Sequence, residues 1–208
     1  RDTTMKLKHA FLAVAVAAAV FGNALVSPAT TLGAAPAFSL PSSNGANVSL
    51  DQFKGKYVVL EWWNHECPFV VKHYGAGNMQ NFHNLLKVTG LVWFRVLCSA
   101  PGTQGHLTAD GANEVMKKQA GSPAHILLDY DGKVGKMYEA KTTPQMVLIA
   151  PNGEMVYNGA IDSISSNKKE DIDKAENYLL RAYGEHSSGK EVTMKTTRPY
   201  GCSVKYGN

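Results

Sequence analysis

Residues Glu61-Trp62-Trp63-Asn64-His65-Glu66-Cys67-Pro68-Phe69-Val70 decide how the chain is read, because an apolar run ends there at a cysteine followed at once by proline. Tyr57-Val58-Val59-Leu60, just ahead, is β-branched and aromatic and reads as a buried strand, whereas the apolar residues after Cys67 recur at helical spacing. Cys67 therefore stands where a strand gives way to a helix. Proline suits the first helical position because the N–H it lacks would have no partner there, and the sulfur then faces the positive end of the helix dipole. Free amides and that partial charge favour thiolate over thiol, which lowers the cysteine pKa and creates a nucleophile. Glu66 next door opposes this, and Lys72 and His73 farther along would favour it.

Upstream, Ser42-Ser43-Asn44-Gly45 is a turn between the short apolar pieces Phe38-Ser39-Leu40 and Val48-Ser49-Leu50, which predicts a small hairpin. Downstream, Gly75-Ala76-Gly77 interrupts or kinks the Cys67 helix before a second piece capped by Asn78 and carrying Met79, Phe82, Leu85 and Leu86. Leu91 to Cys98 is a near-continuous apolar run that suits a parallel strand covered on both faces, with Arg95 as its exception. Thr108 to Gln119 predicts a helix and Ile126-Leu127-Leu128 a strand. Met146 to Ile149 and Met155-Val156-Tyr157 predict an antiparallel pair joined at Asn152-Gly153. Asn167 and Glu170 have capping-box spacing ahead of a helical stripe, Ile172, Ala175, Leu179 and Ala182, that closes at Gly184. From Ser187 the tail is weakly patterned. The order implies an α/β three-layer sandwich, with a central mixed sheet, helices on both faces and an N-terminal hairpin extension.

The chain has 208 residues, enough for one well-packed domain plus a leader. Lys6 and Lys8, an apolar run from Ala10 to Phe21 and small residues through Ala35 read as a secretory signal peptide cut between Ala24 and Ala35. That run is shorter than the roughly 20 residues of a membrane span. The expected division is a leader over 1–35, one domain over 36–186 and a tail over 187–208 that carries Cys202. Without Arg1, Lys6, Lys8 and Asp2 the formal net charge falls from +4 to +2. Such a balance argues against nucleic-acid binding, and no basic cluster with interleaved aromatics occurs. All three cysteines, Cys67, Cys98 and Cys202, lie beyond the leader, in a compartment that permits disulfides. An odd count suits a working thiol better than a structural framework.

The stretch around Cys67 resembles the thioredoxin superfamily. Trp63 falls where thioredoxins carry a tryptophan ahead of the active cysteine, and Glu61 where many carry a buried, proton-shuttling acid. The departure is at Val70, which occupies the second position of the Cys-x-x-Cys motif, so a resolving thiol must come from elsewhere. Asn64 to Tyr74 together with Gly201-Cys202-Ser203-Val204-Lys205-Tyr206 is most similar to secreted bacterial redoxin-domain proteins of the AhpC/TSA and TlpA-like kind, and the likeness runs from about Ala37 to Tyr206. It implies a thioredoxin-like fold and thiol redox chemistry. It also implies that Thr143-Pro144 is the cis-proline loop that packs on the active thiol and pairs with substrate backbone, beside a wall formed by Trp63 and Pro68.

If the strands ending near Trp63 and Leu97 are parallel neighbours, both finish at one carboxyl edge, which brings Cys98 to the same end of the molecule as Cys67. Cys202 in the tail is the other candidate for resolving. Glu61, inside an apolar strand, either moves the proton or pairs with Arg95 on the neighbouring strand. The expected activity is an extracytoplasmic, periplasmic thiol-disulfide exchange in which Cys67 forms a mixed disulfide that Cys202 or Cys98 resolves. Its partners would be protein or small-molecule thiols and disulfides, with a membrane or periplasmic electron donor. A cysteine peroxidase is the first alternative, although Leu60 and Asn64 replace the proline and threonine of the Pro-x-x-x-Thr-x-x-Cys signature. A redox-inactive binding module is the second. His65 and His73 flank Cys67, yet no Cys-x-x-Cys, Cys-x-x-x-Cys or His-x-x-x-His spacing is present. No haem-attachment motif, phosphate loop or nucleophile elbow occurs either, so no metal and no cofactor is expected.

Overall fold

The structure is a computed structural model that describes residues 32–207; residues 1–31 of the expected 1–35 leader lie outside them, and Leu32 and Ala35 donate their amides to the Met155 and Gly153 carbonyls. A hairpin of β1 (Ser39–Pro41) and β2 (Asn47–Ser49) leads into β3 (Val58–Trp62), every residue of which is buried. After α1 (Pro68–Gly75) and α2 (Asn78–Lys87), β4 (Val92–Leu97) runs parallel to β3 with Arg95 opposite Glu61. Then come α3 (Ala109–Lys118), β5 (His125–Leu128) parallel to β4, and a short α4 (Lys133–Met137). The two-residue β6 (Thr142–Thr143) precedes β7 (Gln145–Ile149), which is antiparallel to β3 and pairs with β8 (Met155–Gly159). The chain closes with α5 (Tyr178–Ser187) and β9 (Cys202–Ser203). The central order is β5-β4-β3-β7-β8, a mixed sheet. This is the α/β sandwich that the order of elements predicts.

Strand alternation sorts the core into two layers. Val59, Trp63, Trp93, Leu97, Met146 and Leu148 face Cys67, Val70 and Tyr74, with Leu86 of α2 and Leu179 of α5 over them. Leu60, Trp62, Phe94, Val96, Cys98 and Val147 face the other way, against Leu40 and Val48 of the hairpin and Val134 and Tyr138 around α4.

Two local expectations need correction. The Gly75-Ala76-Gly77 break does separate two helices, but Gly77 occupies the cap of α2 at φ +76 and Asn78 is already helical. A left-handed cap costs glycine nothing, so the chain turns there before asparagine is needed. The last helix starts not near Asn167 but after Asn177, whose Oδ1 accepts from the Leu180 N–H. Asn167 to Glu176 is instead a loop with one 3-10 turn (Lys169–Asp171), tied down by Ser163 N–H to the Glu176 carbonyl and Tyr178 N–H to the Ile161 carbonyl. The Asn177 cap and those cross-loop bonds outcompete the capping-box spacing upstream.

Two histidines are buried in the Cys67 layer, His73 on α1 and His83 on α2. Burial lowers each to about 3, helped by Lys72 beside His73 and by Arg95 near His83. A folded pKa below the unfolded value near 6.5 gives stability that is present above pH 6.5 and is lost as pH falls towards 3. We therefore expect His83→Gln, measured by urea unfolding across that window, to close on the wild type by up to about 1.4 kcal/mol per pH unit. A parallel pair of curves would show that His83 is charged in the folded protein.

Candidate active site

Cys67 caps α1 with extended backbone at φ −70 and ψ 121, followed by Pro68 at the first helical position. Its carbonyl accepts the first helical bond from Val71 N–H at 2.8 Å, and its sulfur is fully buried. The thiol donates to the Thr143 carbonyl at 2.9 Å. That carbonyl belongs to a cis Thr143–Pro144 peptide, which lies at the start of β7 and beside the carboxyl end of β3 because β3 and β7 pair Trp62 with Gln145. Pro68, Thr143 and Pro144 are thus brought together at Cys67, and Trp63 lies in the same core layer.

The tail completes the site. β9 pairs antiparallel with β6, placing Cys202 opposite Thr143 and Ser203 opposite Thr142. Gly201 crosses Thr143 so closely that a Cβ would stand 2.0 Å from its carbonyl oxygen, and its φ of +133 also excludes most side chains. The Cys202 and Cys67 thiols influence each other's ionisation, and no disulfide joins them. Burial pushes the Cys67 thiol up, but the Cys202 thiol, the Thr143 side chain and the amides of Val70 and Cys202 together hold it below the usual thiol range. The partner thiol moves the other way. Burial, then the hydrogen bond and charge of Cys67, push Cys202 up to about 12 despite Lys205. The two thiols are thus shifted in opposite directions.

Cys98 is not part of this pair. It follows β4 on the opposite face of the sheet, where it donates to Asp129 Oδ2 at 2.9 Å. Asp129 in turn accepts from the amides of Val134 and Gly135 at the start of α4. Burial first, and the Asp129 carboxylate second, raise the Cys98 thiol well above its ordinary value. Sharing a sheet edge with Cys67 is not enough, because successive strand residues point to opposite faces.

Glu61 is fully buried, and its oxygens accept from Tyr74 Oη at 2.8 and 2.7 Å and from Trp93 Nε1 at 2.9 Å. Arg95 Nε stands 3.8 Å from Glu61 and donates to Tyr74 Oη at 2.9 Å. Arg95 also lies between the rings of Trp63 and Tyr74, 5.0 and 4.3 Å from their centroids. The pairing of Glu61 with Arg95 across neighbouring strands is present. The flanking charges also go elsewhere than sequence proximity implies. Glu66 accepts from Gly105 N–H at 2.8 Å, while Lys72 and His73 both face Asp162 at 3.7 Å. The ring of His65 is tilted over Trp63 at 5.9 Å.

Three residues here escaped sequence reasoning. Asp162 accepts from Tyr200 Oη, and the Tyr200 ring meets Phe69 edge-on at 5.6 Å with Lys72 Nζ 5.7 Å from its centroid. With Gly201 they dock the tail on α1. The tight Gly-Cys pair and a tyrosine in front of it were the only local signal.

Residues 32–158 match the AhpC/TSA family. The chain belongs to that family. As an AhpC/TSA protein it carries the thioredoxin-like fold and a redoxin domain, in agreement with the resemblance noted around Cys67. A hypothetical protein from Sinorhizobium meliloti 1021 superposes with a TM-score of 0.70 at 23% identity, over 86% of this chain and 95% of that one. An uncharacterized conserved protein from Geobacillus kaustophilus gives 0.72 at 22%, over 86% and 93%. The thioredoxin domain of a thiol-disulfide oxidoreductase from Bacteroides vulgatus gives 0.51 at 22%, over 70% and 96%. These likenesses show a shared fold. No curated protein matches. Among the described residues no helix is long and apolar enough to cross a membrane.

The electrostatics of the AhpC/TSA site give a direct prediction. Removing the Cys202 thiol takes away the largest contribution that lowers Cys67. Cys202→Ser leaves a weaker interaction with the sulfur, so the pH midpoint for iodoacetamide labelling of Cys67 is expected to rise. Mass spectrometry of labelled peptides reads it residue by residue, and an unchanged midpoint would detach Cys67 ionisation from the tail.

Proposed function

We propose that the protein is an extracytoplasmic thiol-disulfide oxidoreductase whose redox pair is Cys67 and Cys202. The observation that carries this reading is the pairing of β9 with β6, which sets a high-pKa thiol against a lowered one at a helix start. The Cys67 thiolate attacks one sulfur of a partner disulfide, and the other partner sulfur leaves as a thiolate. Cys202 then attacks the Cys67 sulfur of the mixed disulfide, passes its proton to the departing partner thiolate, and leaves a Cys67–Cys202 disulfide and a reduced partner. A dithiol electron donor from the membrane or the periplasm reverses the last bond. Thr143-Pro144 would hold the partner chain, with Trp63 and Pro68 as walls. Cys98 takes no part in this cycle, and Glu61 supports the site through Arg95 and Tyr74 rather than moving its proton. A secretory leader within 1–35 would put this activity outside the cytoplasm, with the tail over 187–208 serving the domain over 36–186.

Family membership favours one second reading, a peroxidase in which Cys67 attacks peroxide, becomes a sulfenic acid with loss of water, and condenses with Cys202. Against it, Asn64 at the signature threonine position uses its side chain on Glu66 N–H and the Gln104 carbonyl. A disulfide map after mild oxidation, with Cys67→Ser and Cys202→Ser as controls, tests the pair. A Cys67–Cys202 link is expected. A Cys67–Cys98 link, or three free thiols, would overturn it, and fast peroxide turnover with negligible exchange on a model disulfide protein would promote the peroxidase.

A further inference from the structure

Under that reading a partner chain would pair with the exposed edge of β6, but this edge is already taken by the protein's own β9. Val204 N–H continues the pairing to the Lys141 carbonyl at 3.0 Å, and beneath it Cys67 has no exposed surface. A two-residue strand makes too few bonds to hold itself there, since each net hydrogen bond contributes about 1 kcal/mol. The grip must come from its flanks.

On one side Tyr200, two residues before Cys202, donates its hydroxyl to Asp162 Oδ1 and lays its ring edge on Phe69 of α1. Asp162 is buried, and its second oxygen stands 3.7 Å from Lys72 Nζ, itself 1% exposed. A carboxylate fixed by a buried cation on the cysteine helix is a stronger acceptor than a neutral oxygen. On the other side Tyr206 donates to the Ala140 carbonyl at 2.7 Å. The Tyr200 contact ties the tail to the same helix that Cys67 caps.

Resting on the redox reading, we infer that Tyr200 and Asp162 are the positioning pair that delivers Cys202 to Cys67, and that by holding β9 down they also close the β6 edge to outside chains. Loosening the pair then has two opposite consequences. The internal disulfide becomes harder to form, because the resolving thiol is no longer held at high effective concentration. Cys67 becomes easier for an outside disulfide to reach, because the strand above it lifts more often.

The test uses the full chain and two variants, Tyr200→Phe, which keeps the ring against Phe69, and Asp162→Asn, which keeps the shape of the acceptor. Equilibration with glutathione buffers is expected to show the Cys67–Cys202 disulfide disfavoured about tenfold in each, roughly 30 mV in potential. In a Cys202→Ser background, the rate at which Cys67 takes up an aromatic disulfide probe is expected to rise about tenfold with either substitution. A tyrosine that merely stabilised the fold would leave the potential in place. Variants that match their parents in both measurements overturn the positioning role. A wild type that forms no Cys67–Cys202 disulfide overturns the redox reading instead, and the probe rate, which needs no second cysteine, still decides whether the pair holds the strand.

Discussion

Gly201→Val is expected to uncouple Cys202 from Cys67, with the effective concentration of the internal disulfide falling on the order of 100-fold while the domain stays folded. Two independent features point to the same loss. The backbone at Gly201 has φ +133, which a β-branched residue does not adopt, and its missing Cβ faces the Thr143 carbonyl oxygen at 2.0 Å. Thr143 has little room to give, since the same carbonyl accepts from the Cys67 thiol. The tail must lift. Since β9 pairs with β6 alone and the five-stranded sheet is complete without it, the unfolding midpoint in urea should move little. Gly184 gives the internal comparison: it lies in α5 with nothing within 4 Å of its Cβ position. Gly184→Ala there should stabilise by about 0.5–1 kcal/mol and leave the disulfide equilibrium alone. Glutathione-buffer titration of the two variants reads the contrast, and a Gly201→Val protein that still forms the disulfide as readily as wild type would show that the tail reaches Cys67 by another path.

The strand, the cysteine at its end and the helix that follows were legible because each rests on a few adjacent residues: β-branched Val58 and Val59, then Cys67-Pro68. The parallel partner of β3 was legible from the unbroken run through Val92 to Leu97, and with it the facing of Glu61 and Arg95. Cys98 was kept beside Cys202 as a candidate for resolving, and a parity count bears on that choice. It shares its face with Val96 and Phe94, not with Arg95, and that alternation is written in the sequence. The tail was not legible in the same way. A strand of two residues has no periodicity, and the groups that seat it, Asp162 and Thr143, lie 38 and 59 residues away from their partners in the chain, so only the folded surface brings them together. The start of α5 failed for a related reason, a local capping pattern at Asn167 losing to bonds between Ser163 and Glu176 that no short window contains.

Glu61→Ala is expected to destabilise the domain by about 3–5 kcal/mol in urea unfolding, because it leaves a buried guanidinium without its counter-charge. Arg95 is fully buried, its two terminal nitrogens have no hydrogen-bond partner among the described residues, and Tyr74 Oη and Trp93 Nε1 would lose their acceptor as well. Burial raises the Glu61 carboxyl, and Arg95, Tyr74 and Trp93 pull back only part of that shift. A raised folded pKa gives stability that is present below the ordinary value of 4.5 and is lost as pH climbs through the folded pKa. Glu61→Gln therefore separates the two sequence readings of this residue. Glutamine keeps an acceptor for Tyr74 or Trp93 but can neither carry a proton nor balance Arg95, so its unfolding curve should lose the decline with rising pH that the carboxyl imposes. If Glu61 supports the site only through the network, the folded Glu61→Gln protein should label Cys67 with the same pH midpoint and exchange disulfides at a rate within about threefold of wild type. A loss of 100-fold or more, the upper part of what general acid-base help supplies, with the midpoint unmoved, would restore Glu61 as the group that carries the proton.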